Sequence, residues 1–523
     1  MLVKKISANF INLLFIIITG LMFFLALSRH CEIDMATYDQ VKSLKPHQPW
    51  LYIIVAMLML LIICGLYLFI SRYINNSRVI NAINIGAIIV ITALSIVWIY
   101  FNDTVPHSDQ AIILDEARKI AGYLDEPYEW SYMSSFSFMR LLVLFIAVLL
   151  KIFGNSQMVF RWFNIIMLVF LVIGMSAITD KHIKDKSLGM LLKIALVFFY
   201  PIIVYTCYVY GTLAAVTFEV WAFYFAVSFV EENDGKHKIF NGLGVVLCIF
   251  WGVEMHMSAL IAMVAICIYL VLKTEKETWI RNVILIISVV LFYLACNRLV
   301  DATYVAITNS PVHDAIPISA KVYMGITASE TQPGGPGSQD GSYWKMFELN
   351  DMNAKKTNEY LWPVIGNVMH EYMVGERSWS FFLKKAEYQW LDPTLDARRI
   401  ILLNNQLNGE PANSNIYTAF YYSRIRTIAL KLITAFMIMV YGCAFFSAIN
   451  RLINKKSDVD IHFLIQIFIV GGFMFQLIAE SISRYIFSYY VLLLIEAFYG
   501  ISILVKFNKS LRNRTNNIKS CQV

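Results

Sequence analysis

The sequence predicts an all-α polytopic membrane protein of about 12–13 transmembrane helices, with helices on the outer membrane surface and one large extracellular loop. Three observations predict it. Of 523 residues, 58% are hydrophobic and only 15% charged, where a water-soluble domain keeps roughly 25% charged because water meets its whole surface. Mean hydropathy is +0.61. The apolar residues also fall in unbroken runs near the ~20 that a helix needs to cross a ~30 Å hydrocarbon core.

Taken in order, the runs are 9–28, 50–71 and 80–101, then 157–178, 187–206, 209–230, 239–254, 257–273 and 280–299. Those at 427–448, 461–479 and 484–505 close the series. The chain thereby divides into N-terminal transmembrane helices (1–101), a first extracellular loop with surface or re-entrant helices (102–156) and a transmembrane bundle (157–299). A large extracellular loop (300–426), C-terminal transmembrane helices (427–505) and a cytoplasmic basic tail (506–523) follow. The first run has no small-residue cleavage site and reads as a retained helix.

Orientation comes from the cations in short connections, which favour the cytoplasmic side. With Lys4 and Lys5 inside, Arg72 and Arg78, the Lys181, Lys184 and Lys186 cluster, Lys236 and Lys238, and Lys273 and Lys276 fall inside too. So do Lys455 and Lys456. The tail, with Lys506, Lys509, Arg512 and Arg514, ends inside, where it anchors topology or touches anionic lipid. One stretch, 134–153, breaks the alternation, because counting it as a span inverts every later loop. It is expected to lie along or re-enter the outer face, with Arg140 and Lys151 snorkelling; a thirteenth span is the alternative. The net charge of +7 follows from these topology-setting cations and does not point to nucleic acid. Eight cysteines show no CxxC or Cys/His spacing, so neither a zinc site nor a disulfide framework is indicated.

Two outward segments remain. The first holds Pro106-His107-Ser108-Asp109-Gln110 and then 111–124, whose apolar residues recur at helical spacing with Asp115, Glu116, Arg118 and Lys119 on another face. That pattern suits an amphipathic helix on the membrane surface. Ser108 or Asp109 can cap it, which is the structural alternative to a chemical role for Asp109. The second segment, 301–426, is too long for a connecting turn. It has a glycine- and proline-rich stretch read as flexible (Gln332 to Ser338), helical patterns at 353–374 and 378–390, and the string Trp390-Leu391-Asp392-Pro393-Thr394.

Ionisable side chains at membrane depth are costly and signal function. Glu480-Ser481-Ile482-Ser483-Arg484-Tyr485 sits between the last two spans. The planar fork of Arg484 suits a phosphate, and Glu480, one helical turn earlier, is placed to orient it; a structural ion pair is the competing reading. Glu219, Glu254, His256 and Glu496 also fall in or near spans. His256 beside Glu254 is either a metal ligand or a satisfied core residue. Tyr205, Tyr208 and Tyr210 with Gly211 sit at an outer helix end, where aromatic belts are common.

These residues resemble the GT-C superfamily, and more narrowly the multi-spanning glycosyltransferases of Gram-positive bacteria related to protein mannosyltransferases and aminoarabinose transferases. The strings carrying the resemblance are Ser108-Asp109-Gln110, Tyr208-Val209-Tyr210-Gly211-Thr212, Ile316-Pro317 with Tyr323-Met324-Gly325, and Gln389 through Thr394, together with Glu480–Tyr485. The resemblance implies an inverting transfer of a single sugar from a polyprenyl-phosphate donor such as undecaprenyl-phosphate to an extracellular acceptor, a cell-envelope glycopolymer. It places the protein in a bacterial plasma membrane with its site facing outward. Asp109 becomes the general base, and Arg484, Glu480 and Tyr485 the donor-phosphate group. Gln110, Tyr210 and His256 are candidate substrate-lining residues. Gln110 stands where some relatives carry a second carboxylate, which weakens the case for a metal-dependent variant; no cofactor is expected, and a divalent metal stays open without being indicated. A flippase or transporter of lipid-linked sugars, a glycopolymer polymerase or ligase, and a non-catalytic assembly subunit are the alternatives. A transporter predicts inverted repeats or paired broken helices, and no clear repeat is present.

Overall fold

The computed structural model describes residues 2–33, 42–101, 106, 108–310, 314–329, 331–397, 424–454 and 458–520, with side chains in the last helix to residue 507. His107, Lys455, Lys456, Cys521, the tail cations Lys509, Arg512 and Arg514, and residues 398–423 of the large loop lie outside this description.

The chain opens with α1 (Leu2–Ala26), a hairpin of β1 (Arg29–Ile33) and β2 (Lys42–Pro46), and two long helices, α2 (Pro49–Tyr73) and α3 (Ser77–Phe101). Three shorter helices follow: α4 (Asp109–Ala121), α5 (Trp130–Ser135) and α6 (Arg140–Phe153). The middle runs through α7 (Met158–Ile178), α8 (Lys186–Phe198), α9 (Tyr200–Val204), α10 (Thr212–Glu231), α11 (Gly235–Met255), α12 (Ala259–Lys273) and α13 (Trp279–Thr308). The second outer segment holds α14 (Ile318–Thr327), α15 (Ser342–Leu349), α16 (Ala354–Val374) and α17 (Ser380–Trp390). The described chain closes with α18 (Arg424–Ile453), α19 (Ile461–Ile478) and α20 (Phe487–Ser520).

This is an all-α polytopic membrane protein. Among the described residues, ten helices are long and apolar enough to cross a membrane, or up to eleven when α8 and the segment Tyr200–Cys207, bent by 65° at their break, count as one span. Pro201 sits in the first turn of α9, where it lacks an N–H and its ring opposes continuation of α8. Helix α12, a shorter apolar helix of 15 residues, corresponds to the remaining run read from the sequence. Helix α6 has 14 residues and packs against α4.

The twelve apolar runs, an even number, predict that both termini share one face, and two contacts agree with that. Lys4 Nζ pairs with Glu275 at 3.3 Å, and Lys506 Nζ with Asp185 at 2.8 Å. The hairpin, α4–α6 and α14–α17 occupy the other face. Helices α10, α18, α19 and α20 form the centre, whereas α2, α3 and α13 turn residues such as Leu61, Ile62, Ile89 and Leu291 outward, as lipid contact requires.

Three expectations are corrected. Arg140 does not snorkel: it is 5% exposed, and its Nη1 donates to Asp301 at 2.8 Å. The charged face of α4 is not all solvated. Glu116 is buried, accepting from Lys119 Nζ (2.9 Å), Glu129 N–H (2.8 Å) and Tyr304 Oη (3.0 Å), which fixes α4 against α13. The stretch from Gln332 to Ser338 is not a flexible spacer. Gly334 to Ser338 are buried, Gly335 and Gly337 adopt φ of 89° and 70°, and the Gly337 carbonyl accepts from Ser481 N–H at 3.1 Å. Glycine serves here for backbone conformation and close approach, not mobility.

Candidate active site

Asp109 is the first residue of α4, and the residue before it is strained. Ser108 adopts φ 56°, and its side chain makes no cap. Such a conformation costs ~1–3 kcal/mol and persists where its surroundings enforce it. The Asp109 carboxylate lies 3.5 Å from Arg484 Nη2, and its charge acts on the nearby Tyr132 hydroxyl. Burial, then the adjacent Asp109 charge, raises the Tyr132 pKa well above the usual phenol value, so this hydroxyl stays a donor.

Gln110 turns the other way. It is 4% exposed and its Oε1 accepts from Val209 N–H at 3.0 Å, so it does not line the cavity but holds the chain at 208–210. This corrects the expectation that it lines substrate. Asn164 helps, donating Nδ2 to the Thr206 and Tyr208 carbonyls at 3.3 and 2.8 Å. Gly211 then packs so tightly on the end of α11 that a Cβ would collide with the Met255 carbonyl. Gly211→Ala is expected to cost ~1–3 kcal/mol through overpacking, seen as a lowered unfolding temperature in detergent, and to displace Tyr210 from His256.

Arg484 lies in a short 3-10 turn, Ser483–Ile486, between α19 and α20. The segment before it is extended: Glu480 N–H donates to the Lys321 carbonyl at 3.0 Å and Ser481 N–H to Gly337. The helical turn expected to bring Glu480 under Arg484 is therefore not formed. Glu480 instead accepts from Tyr485 Oη at 3.3 Å, while Arg484 faces Asp109 and stacks 5.6 Å from the Tyr485 ring.

Asp109 and Arg484, 375 positions apart, meet in a cavity of about 310 Å³. Tyr132, Tyr210, Lys321, Gln339, Tyr343, Glu480 and Tyr485 also line it. Two carboxylates and two cations share this space. Next to it runs an apolar groove of about 330 Å³, walled by Leu260, Ile261, Ile318, Phe475 and His256. Phe138, Tyr210, Lys321, Glu480 and Tyr485 border both. A polar chamber thus continues into an apolar slot, a shape for a molecule with a polar head and a hydrocarbon tail.

Of the residues singled out in the sequence, the structure gathers Asp109, Tyr210, His256, Glu480, Arg484 and Tyr485 and sets Gln110 behind the wall. Glu219 stands behind the slot wall, within 3.4 Å of Ser258 Oγ, whereas Glu254 accepts from Asn297 at 3.0 Å and Glu496 pairs with His462 at 2.7 Å. Sequence reasoning missed Tyr132, Lys321, Gln339 and Tyr343. Lys321 was within reach, since it lies between the Ile316-Pro317 and Tyr323-Met324-Gly325 strings. Among the described residues no three His, Cys, Asp or Glu side chains converge as a metal-ligand set.

A floor lies beneath Arg484 that the sequence did not announce. Lys42, on β2, has a fully buried side chain, with Nζ 2.9 Å from Asp392, 2.6 Å from Asp396 and 2.6 Å from Ser483 Oγ. The hairpin is stitched on by Cys31 N–H to the Leu391 carbonyl (2.7 Å) and Lys42 N–H to the Pro333 carbonyl (2.8 Å).

No family model matches the sequence, and no curated protein matches it. Among solved structures, the chain is similar to the archaeal oligosaccharyltransferase AglB from Archaeoglobus fulgidus in complex with an inhibitory peptide and a dolichol-phosphate, at 12% identity and a TM-score of 0.43. The likeness covers 83% of this chain and 52% of that one, so the chain spans about half the length of this neighbour.

Proposed function

We propose that the chain is a GT-C-type inverting glycosyltransferase that moves a single sugar from a polyprenyl-phosphate donor to a hydroxyl of a cell-envelope glycopolymer, on the outer face of a bacterial plasma membrane. The observation that carries this reading is the meeting of the Asp109 carboxylate and the Arg484 guanidinium in a chamber that opens into an apolar slot. The outward orientation is the one expected from the Lys- and Arg-bearing connections.

In this mechanism the polyprenyl tail occupies the slot and the phosphate sits where the two spaces join, against Arg484 and Lys321. The acceptor oxygen attacks the anomeric carbon from the side opposite the phosphate. As that C–O bond forms, its proton passes to Asp109. The anomeric C–O bond to phosphate breaks with its electron pair remaining on the phosphate, whose growing charge the fixed cations stabilise. Arg484 faces Asp109 at 3.5 Å. A phosphate that draws Arg484 toward itself frees the carboxylate to accept a proton, so donor binding readies the base. The charge is supplied by the protein's own side chains, and Glu480 with Tyr485 borders the sugar.

The test is turnover of polyprenyl-phosphate sugars by the full chain in nanodiscs, with chemical analysis of cell envelopes with and without the protein to name sugar and acceptor. Arg484→Ala is expected to reduce turnover by ~10²–10³-fold and to raise the donor KM. An unchanged donor KM would remove Arg484 from the phosphate.

A further inference from the structure

Between α11 and α12 the chain turns through His256, Met257 and Ser258 along the wall of the apolar slot. Ser258 N–H donates to His256 Nδ1 at 3.3 Å, and Ser258 Oγ lies 2.9 Å from the same nitrogen. A peptide N–H can only donate, so Nδ1 must offer its lone pair, and a neutral imidazole then carries its proton on Nε2. The hydroxyl of Ser258 also reaches Glu219 Oε1 at 3.4 Å, tying this turn to α10, where Glu219 is 1% exposed. Whichever way that hydroxyl points, the backbone bond sets the tautomer.

The ring is held edgewise to Tyr210 (5.9 Å) and tilted to Tyr485 (6.0 Å), two residues that also border the polar chamber. Burial, then the positive charges of Arg484 and Lys321, pulls the His256 pKa down to about 3, so the ring stays neutral at physiological pH. Its remaining N–H therefore belongs to an uncharged donor on the slot wall, beside two residues that border both spaces and within the field of both cations.

We infer that His256 donates its Nε2–H to the phosphodiester of a lipid-linked donor, as a third contact beside Arg484 and Lys321, with Ser258 and Glu219 fixing the ring. This rests on the lipid-phosphate reading of the site. A neutral donor suits that position. The chamber already balances Asp109 and Glu480 against Arg484 and Lys321, and an uncharged N–H strengthens its bond as the phosphate gains charge without adding a fixed charge of its own.

The test uses the full chain in nanodiscs and polyprenyl monophosphate as the probe. His256→Leu is expected to bind it ~10-fold more weakly, the loss of a hydrogen bond to a charged group. His256→Gln, whose amide N–H reaches a similar place, should stay within ~3-fold of wild type, as expected when a donor is kept. In 15N spectra of histidine-labelled protein, the His256 signals should show protonated Nε2, and that resonance should move on adding polyprenyl monophosphate but not neutral polyprenol. Wild-type affinity in His256→Leu, equal losses in both variants, or an equal response to polyprenol would overturn the assignment. Absence of polyprenyl monophosphate binding by the wild type would instead overturn the lipid-phosphate reading and the assignment with it.

Discussion

Asp109→Asn is expected to lower turnover of a polyprenyl-phosphate sugar by ~10²–10⁴-fold, the range that a positioned general base contributes, while leaving donor affinity within a few-fold of wild type. The substitution keeps the shape of the side chain and an oxygen for Tyr132, so the chamber is preserved and only the proton acceptor is lost. Arg484 loses its partner at 3.5 Å, which makes the guanidinium freer for phosphate and argues against any fall in donor binding. The effect should therefore fall on kcat, with donor KM unchanged or lowered, the pattern of an interaction made in the transition state. Glu480→Gln is the control, because Glu480 lies in the same chamber but is engaged by Tyr485. A larger loss in that variant than in Asp109→Asn would transfer the role of base to Glu480. Normal turnover by Asp109→Asn would remove it from Asp109.

The spans were legible in the sequence because the membrane imposes one requirement on every crossing: enough consecutive apolar residues to satisfy the backbone internally. For 134–153 that requirement does not decide, and only charge parity across the Lys181–Lys186 connection argues for reading it as lying along or re-entering the outer face. The two ends of the site were legible for a related reason, since Asp109 and Arg484 are ionisable groups beside apolar runs. Their partners were not. Tyr132 and Tyr343 carry neither charge nor a spacing that marks them in the sequence, and only the fold brings them to the chamber. Gln110 misled because its neighbour faces the chamber, whereas successive residues of a helix point about 100° apart. Glu480 misled because a spacing of four implies a helical turn only where a helix exists, and hydrogen bonds to Lys321 and Gly337 hold that segment extended. The hairpin gave no signal at all: its 5-residue strands alternate weakly and earn their burial from a distant loop.

Lys42→Met is expected to be the most destabilising single substitution outside the apolar core, by ~3–5 kcal/mol, the cost of removing one partner from a buried ion pair. Methionine fills the stem of the lysine, so the loss is electrostatic rather than a cavity. Asp392 and Asp396 are 2% and 1% exposed, and without the ammonium they face each other as buried carboxylates. Burial alone raises the pKa of Asp392, yet Lys42 and the hydrogen bonds of Thr394 outweigh it and hold the carboxyl below its usual range. Burial likewise opposes the charge on Lys42, and the two carboxylates outweigh it and hold its pKa above the usual lysine value. The signs set the window. The Asp392 contribution is present above the ordinary carboxylate pKa of ~3.9 and is lost as pH falls through the depressed one. That of Lys42 is present below ~10.4 and is lost as pH rises through the elevated one. Between those limits the unfolding temperature of the wild type should not vary on account of this cluster, and that of Lys42→Met should lie below it throughout. Adding Asp392→Asn and Asp396→Asn to Lys42→Met should recover part of the loss, because the uncompensated charges disappear with their partner. Lys42→Arg should not rescue, since a planar fork cannot reach two carboxylates and Ser483 Oγ in the space of a compact ammonium. Ser483 immediately precedes Arg484, so a destabilised Lys42→Met that kept full turnover would show that the hairpin braces the fold without setting the guanidinium. A loss of turnover that exceeds the loss of folded protein would tie the floor to the chamber above it.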